Sequence, residues 1–99
     1  MNGYLSFVLH GHLPYVRHPE YAEFLEEDWL YEAISETYVP LLEMFERLSN
    51  DKIPWNLTIT MSGTIDNMLN DDMLRGRYIH HWDKVIDLCE KEIERLKEY

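Results

Sequence analysis

Only one cysteine, Cys89, stands among the 99 residues, so no disulfide can close within the chain, and the helical pattern around it predicts a small buried thiol. Basic residues are scarce too. Nine Lys and Arg face nineteen Asp and Glu, a net charge of −10 that repels nucleic acid and anionic lipid alike. A neutral partner suits such a surface, carbohydrate among them, because sugars are held through hydrogen bonds and aromatic faces; an acidic, soluble exterior accounts for the same charge. Long apolar runs are missing as well. Met1-Asn2-Gly3 carries no basic stretch, and the uncharged run behind it is too short for a signal peptide or a membrane span, so no membrane contact is expected and the cytoplasm is the expected location. Glycine and proline number four each, with no repeat, linker or low-complexity segment, while three tryptophans and seven tyrosines argue for a packed core rather than disorder.

What is present begins with Tyr4-Leu5-Ser6-Phe7-Val8-Leu9, which reads as a buried strand over residues 4–9, ended by the Gly and Pro of His10-Gly11-His12-Leu13-Pro14-Tyr15. Strand side chains alternate, so His10 and His12 point to one side if the chain stays extended. In parallel α/β folds ligands bind where strands end, which is where this pair lies. Three readings are open from the residues alone. The pair is half of a metal site in a hydrolase barrel, lacking its carboxylate; or it positions a polar substrate by hydrogen bonds; or it is simply polar surface at a strand end.

After Val16 the stretch to Glu27 lacks periodicity and reads as a loop, with no partner assigned to His18 and with Glu26, Glu27 and Asp28 as acids serving a helix start. Asp28 is the expected N-cap. Leu30, Ile34, Tyr38, Leu41, Phe45 and Leu48 recur on one helical face, interrupted at Pro40, where a kink or local break is expected. Ser49-Asn50-Asp51-Lys52 ends that helix. Residues 55–61 alternate as a second strand, making a βαβ unit with parallel strands and a right-handed crossover, followed by a loop at Ser62-Gly63-Thr64. Asp71 or Asp72 caps a last helix whose apolar face is Leu74, Tyr78, Trp82, Ile86, Cys89, Ile93 and Leu96, with Asp87 and Lys91 paired on its wet side. His80 and His81 point about 100° apart on that helix and cannot share a ligand.

The string Leu9-His10-Gly11-His12-Leu13-Pro14-Tyr15-Val16-Arg17 resembles the first motif of glycoside hydrolase family 57, whose members act on α-1,4-glucans, and it is most similar to the branching enzymes of that family. The likeness continues through Trp29-Leu30-Tyr31-Glu32-Ala33, Glu36-Thr37-Tyr38-Val39-Pro40-Leu41-Leu42 and Asn56-Leu57-Thr58-Ile59-Thr60-Met61-Ser62. It reaches more weakly to Arg77-Tyr78 and Glu90-Lys91-Glu92. Gly63-Thr64-Ile65-Asp66 departs from it, since a proline or cysteine is expected nearby.

The resemblance implies an α/β fold in which residues 1–99 form the first two βα units of an incomplete (β/α)₇ TIM-like barrel. A complete enzyme barrel needs about 250 residues. It implies retaining chemistry on an α-glucan partner, with a nucleophilic Glu and an acid/base Asp that no residue here matches, so the chain alone should be inactive. His10, His12 and Tyr15 would bind the sugar, the imidazoles donating hydrogen bonds to its hydroxyls. Trp29 would build part of the glucan surface or staple the loop to the barrel. No metal or other cofactor is expected on this reading. The missing remainder of the barrel, or self-association, is the expected protein partner. A metal-dependent hydrolase using His10 and His12, and a non-catalytic binding or structural module, are the alternatives.

Overall fold

An extended run needs a partner for its amides and carbonyls, and the run that opens this chain finds one 50 residues further on. In the computed structural model, which describes residues 2–99, β1 (Val8–Gly11) pairs in parallel with β2 (Thr58–Met61). Between them lie α1 (Glu27–Ala33), a π-helical turn (Ile34–Tyr38) and α2 (Val39–Asn50); α3 (Gly63–Leu69) and α4 (Asp72–Lys97) follow. The protein is therefore α/β with a two-stranded parallel sheet, as the βαβ pattern predicts. Two compact units divide the chain, one running to Met68 and one comprising Leu69–Tyr99.

Both strands are shorter than their sequence patterns. The ladder matches Val8 with Thr58, Leu9 with Ile59, His10 with Thr60 and Gly11 with Met61. His10 thus lies inside the strand, not after it. Glycine in this position is compatible with extended backbone and leaves room for a neighbouring side chain: a Cβ on Gly11 would lie 2.6 Å from the Met61 sulfur. Upstream, Tyr4 and Leu5 are exposed and belong to no strand among the described residues.

The helical crossover starts without the side-chain cap expected from Asp28. Its boundary residue, Glu26, is already helical and offers no side-chain bond to the first turn. A preceding backbone turn does the work instead, since the amides of Glu27, Asp28 and Trp29 donate to the carbonyls of Phe24, Leu25 and Glu26 at 3.0, 3.0 and 3.2 Å. The break expected at Pro40 takes the form of a widened turn. The Val39 amide reaches back to the Ile34 carbonyl, and Pro40 then sits within the first positions of α2, where a missing amide costs least. Leu30 is buried, and Ile34, Tyr38, Leu41, Phe45 and Leu48 are half-buried, so the apolar face read from the sequence is the covered one. Burial holds the Tyr38 phenol above its ordinary pKa.

At its end α2 closes in a Schellman arrangement: Ile53 N–H donates to the Leu48 carbonyl at 2.9 Å and Lys52 N–H to that of Ser49 at 3.1 Å. The geometry requires a left-handed residue, and Lys52 supplies it with φ 56°. The return to β2 is held against α2 by the stacked rings of Phe45 and Trp55, 4.6 Å apart, and by the Trp55 indole donating to Ser49 Oγ.

The loop expected after β2 is in fact α3. Ser62 caps it, its Oγ accepting from Ile65 N–H and its carbonyl from Asp66 N–H. Ile65 and Met68, one turn apart, are buried with Val16, Leu30 and Tyr31 to form the core of the first unit. In the second unit Asp71 Oδ1 caps α4 by accepting from Leu74 N–H at 2.9 Å, as expected. Lys91 pairs with Asp87 at 2.7 Å, and that carboxylate raises the lysine pKa. Along the apolar face Leu74 is buried and Tyr78 half-buried, but Trp82, Ile86, Ile93 and Leu96 are exposed. Cys89 is exposed with them, contrary to the buried thiol expected, because the face it lies on is uncovered.

Because Lys52 holds a conformation in which Cβ crowds the carbonyl, Lys52→Gly should raise the unfolding free energy by about 0.5–1 kcal/mol in urea titrations. Lys52→Ala, which keeps the Cβ, should not. A glycine variant less stable than the parent would remove this account of the helix end.

Candidate functional site

Hydroxyl-bearing residues alternate along Thr58, Thr60 and Ser62, and imidazoles along His10 and His12. Parallel pairing in register sets these two series against each other. His10 Nδ1 lies 2.6 Å from Thr60 Oγ1, and His12 Nδ1 lies 2.7 Å from Ser62 Oγ. Ser62 N–H donates to the Gly11 carbonyl at 2.9 Å, extending the pairing one step beyond the strands and fixing where its hydroxyl stands. The two imidazole rings are nearly parallel, 16° between planes and 5.8 Å between centroids. Both histidines are exposed, and Nε2 of each has no hydrogen-bond partner among the described residues.

A further hydroxyl joins from α3. Thr64 Oγ1 lies 3.0 Å from Ser62 Oγ and donates to the Leu13 carbonyl at 2.8 Å, which ties the turn after His12 to the helix start. The outcome is two neighbouring rings, each anchored at one nitrogen and open at the other. Such a pair can bind a polar group at two points without first ordering its own side chains.

Of the expected site residues, His10 and His12 are brought together, whereas neither Tyr15 nor Trp29 is among their hydrogen-bond or ring partners. Tyr15 is exposed in the segment after Pro14, and Trp29 is about half exposed in the first turn of α1. Thr60, Ser62 and Thr64 join the site without any motif that marks them in the sequence. The available signal was parity, since Thr60 and Ser62 repeat the two-residue step of His10 and His12. No group of three His, Cys, Asp or Glu side chains able to hold a metal ion occurs among the described residues.

His18, to which the sequence assigns no partner, has partners on both ring nitrogens. Nδ1 faces Glu20 at 3.2 Å and Nε2 faces Glu26 at 3.1 Å, while the ring packs on Phe24 at 3.7 Å. Glu26 is therefore a clip for the loop rather than a helix-start charge alone, and Glu27 beside it is buried. Partial desolvation is the largest single influence on His18 and lowers its pKa. The hydrogen bonds from Glu26 and Glu20, with their charges, together outweigh it and leave the imidazole above its ordinary value.

The model of glycosyl hydrolase family 57 matches residues 6–99. The chain belongs to glycosyl hydrolase family 57. It is 37% identical over 97 residues to the 1,4-alpha-glucan branching enzyme TK1436 of Thermococcus kodakarensis, covering 98% of this chain and 14% of that protein. To a probable 1,4-alpha-glucan branching enzyme of Mycobacterium tuberculosis it is 32% identical over 81 residues, 81% of this chain and 15% of that protein. The crystal structure of the alpha-amylase AmyC from Thermotoga maritima superposes with a TM-score of 0.84 at 46% identity, over 96% of this chain and 18% of the amylase chain. The family membership expected from the ordered motifs is thus established. This chain spans about one seventh of the length of the curated relatives it matches.

The His18 clip has a testable pH sign. A pKa raised on folding contributes stability that is complete below the unfolded imidazole value and lost as pH rises through the raised folded one. In an NMR titration His18 should deprotonate at higher pH than a free imidazole, and Glu26→Gln and Glu20→Gln should each lower that midpoint. An unshifted His18 would remove the clip.

Proposed function

We propose that this chain is part of a retaining glycosidase or transglycosidase acting on α-1,4-glucans, and that His10 and His12 bind the sugar at the point of cleavage. The observation that carries this reading is the paired imidazoles, each anchored through Nδ1 on a neighbouring hydroxyl with Nε2 open, in a chain whose family is that of glucan-active enzymes. Glucan hydroxyls are spaced polar groups on a neutral ring, which two parallel ring nitrogens can grip in pairs. The net charge of −10 puts no obstacle before a neutral polymer. Tyr15 and Trp29, both exposed aromatics, are the proposed stacking surfaces.

The fold proposed is the first two βα units of a (β/α)₇ barrel, with residues 1–99 as its N-terminal portion. The family 57 kinship supports it. So do the apolar residues left open: Leu5 and Phe7 before β1 are largely exposed, and Val8 and Ile59 in the sheet are not covered. The carboxylates that perform retention stand roughly 5–5.5 Å apart in such enzymes, and no Glu or Asp of this chain is assigned to them. The contribution of this chain is positional. It holds the sugar while chemistry proceeds on residues elsewhere, so the chain alone is proposed to be inactive.

Chain transfer to a glucan 6-hydroxyl, the branching reaction, is the preferred activity, supported by the names of the two curated relatives. Hydrolysis is the second reading, supported by the 46% identity to an alpha-amylase. Amylose incubated with an active enzyme containing this chain separates them. New α-1,6 anomeric protons in the NMR spectrum mark branching, and a rise in reducing ends without them marks hydrolysis.

In that same enzyme His10→Ala should lower kcat by about 10–100-fold while KM rises much less, because an interaction strengthened as the sugar ring flattens is lost mainly from the transition state. Unchanged turnover in a correctly folded variant would remove His10 from the sugar site. The isolated 99-residue chain, with its open strand edges and exposed apolar residues, should unfold without a sharp calorimetric transition and sediment as more than a monomer. A reversible, cooperative transition from a dilute monomer would show a self-sufficient domain.

A further inference from the structure

We propose that Ser62 and Thr64 are positioning residues that fix His12 as its Nδ1–H tautomer, so that its open Nε2 accepts a hydrogen bond and selects a ligand group that donates one. The role toward sugar rests on the sugar-binding reading above; the tautomer does not.

The direction of each hydrogen follows from the end of the chain of contacts. The Leu13 carbonyl can only accept. Thr64 Oγ1 is 2.8 Å from it and 3.5 Å from His12 Nδ1, so the single hydroxyl hydrogen of Thr64 goes to the carbonyl. With that hydrogen committed, the 3.0 Å contact between Ser62 Oγ and Thr64 Oγ1 needs the hydrogen of Ser62, because otherwise two lone pairs would face each other. Ser62 Oγ then has only acceptor capacity left. It takes Ile65 N–H at 3.4 Å and His12 Nδ1 at 2.7 Å, and the imidazole nitrogen must supply the hydrogen. A neutral imidazole has one N–H, so Nε2 carries a lone pair.

This reverses the direction expected from the sequence, in which the imidazoles donate to sugar hydroxyls. A glucan hydroxyl meets an Nε2 acceptor as a donor. A carboxylate or phosphate oxygen, which can only accept, finds no hydrogen there. The relay therefore favours neutral polyols over anions of similar size through proton placement rather than through charge. His10 has a weaker version of it, since Thr60 Oγ1 reaches the Leu9 carbonyl only at 3.5 Å.

Neutron diffraction from deuterated, ligand-free crystals of an enzyme containing this chain, grown at about pH 8.5 so that ordinary imidazoles are neutral, reads the result directly. Deuterium is expected on His12 Nδ1, between Ser62 Oγ and Thr64 Oγ1, and between Thr64 Oγ1 and the Leu13 carbonyl, with none on His12 Nε2. Deuterium on Nε2 instead would overturn the proposal. In ¹⁵N-histidine NMR of the same enzyme, Thr64→Val releases the Ser62 hydrogen to turn toward Nδ1 and should shift His12 toward the Nε2–H pattern. Thr64→Ser should keep the parental pattern, a rescue that a purely structural role does not predict. A His12 pattern unchanged in folded Thr64→Val also overturns the relay, and should that variant not fold, the neutron result stands as the test. Neither measurement includes glucan, so a failure here falls on the relay alone, while a failure of the sugar-binding reading appears in the His10→Ala kinetics.

Discussion

The parallel pairing of Val8–Gly11 with Thr58–Met61 is the constraint on which the first unit depends. It is only four residues long on each side, yet it sets the register that places two imidazoles against two hydroxyls. Parallel strands cannot be joined by a tight turn, so the chain must travel out and back. The helices from Glu27 to Asn50 are that journey. Their covered face supplies Leu30 and Tyr31 to the core, α3 supplies Ile65 and Met68, and Val16 closes it just past the histidine motif. Site and core are thus two sides of one arrangement, since the backbone of His10-Gly11-His12 presents rings outward while Gly11 makes room for Met61.

Much of this was legible in the residues. Alternation marked both strands, the steps from Leu30 to Leu48 marked the covered helical face, and the turn residues before Ile53 marked where the helix stops. These patterns are legible because burial imposes a period that sequence records directly. The family was legible because several short motifs occur in order, each weak by itself.

What sequence concealed was whatever depends on contacts made from afar. Strand ends are set by where a partner begins and stops, so residues 4–6 look like strand and yet lie outside the ladder, whose first bond is from Thr58 N–H to the Phe7 carbonyl. Asp28 has the chemistry of a cap, but α1 already begins at Glu27, so Asp28 lies inside the first turn, and the amides at that helix start are met by the backbone carbonyls of residues 24–26. Cys89 sits on an apolar stripe and is exposed because the stripe is uncovered there. His18 has no carboxylate at a spacing that any motif prescribes, yet the loop folds Glu20 and Glu26 onto its two nitrogens. Ser62 and Thr64 are ordinary turn residues until the register sets them beside His12.

That register has a consequence for how the loop after the histidine motif can change. The site is aligned by ladder pairing and not by the length of chain between its halves, so the connection works as a tether rather than a ruler. Lengthening a flexible loop adds only about 0.6 kcal/mol of closure entropy for each doubling. Residues inserted between Pro19 and Leu25 leave His10 opposite Thr60, whereas one residue inserted within β1 turns an imidazole to the opposite face, and one within β2 turns its hydroxyl partner. Loop growth and strand growth are therefore unequal currencies for change: the first can reshape the rim around a bound ligand step by step, and the second dismantles the grip at once.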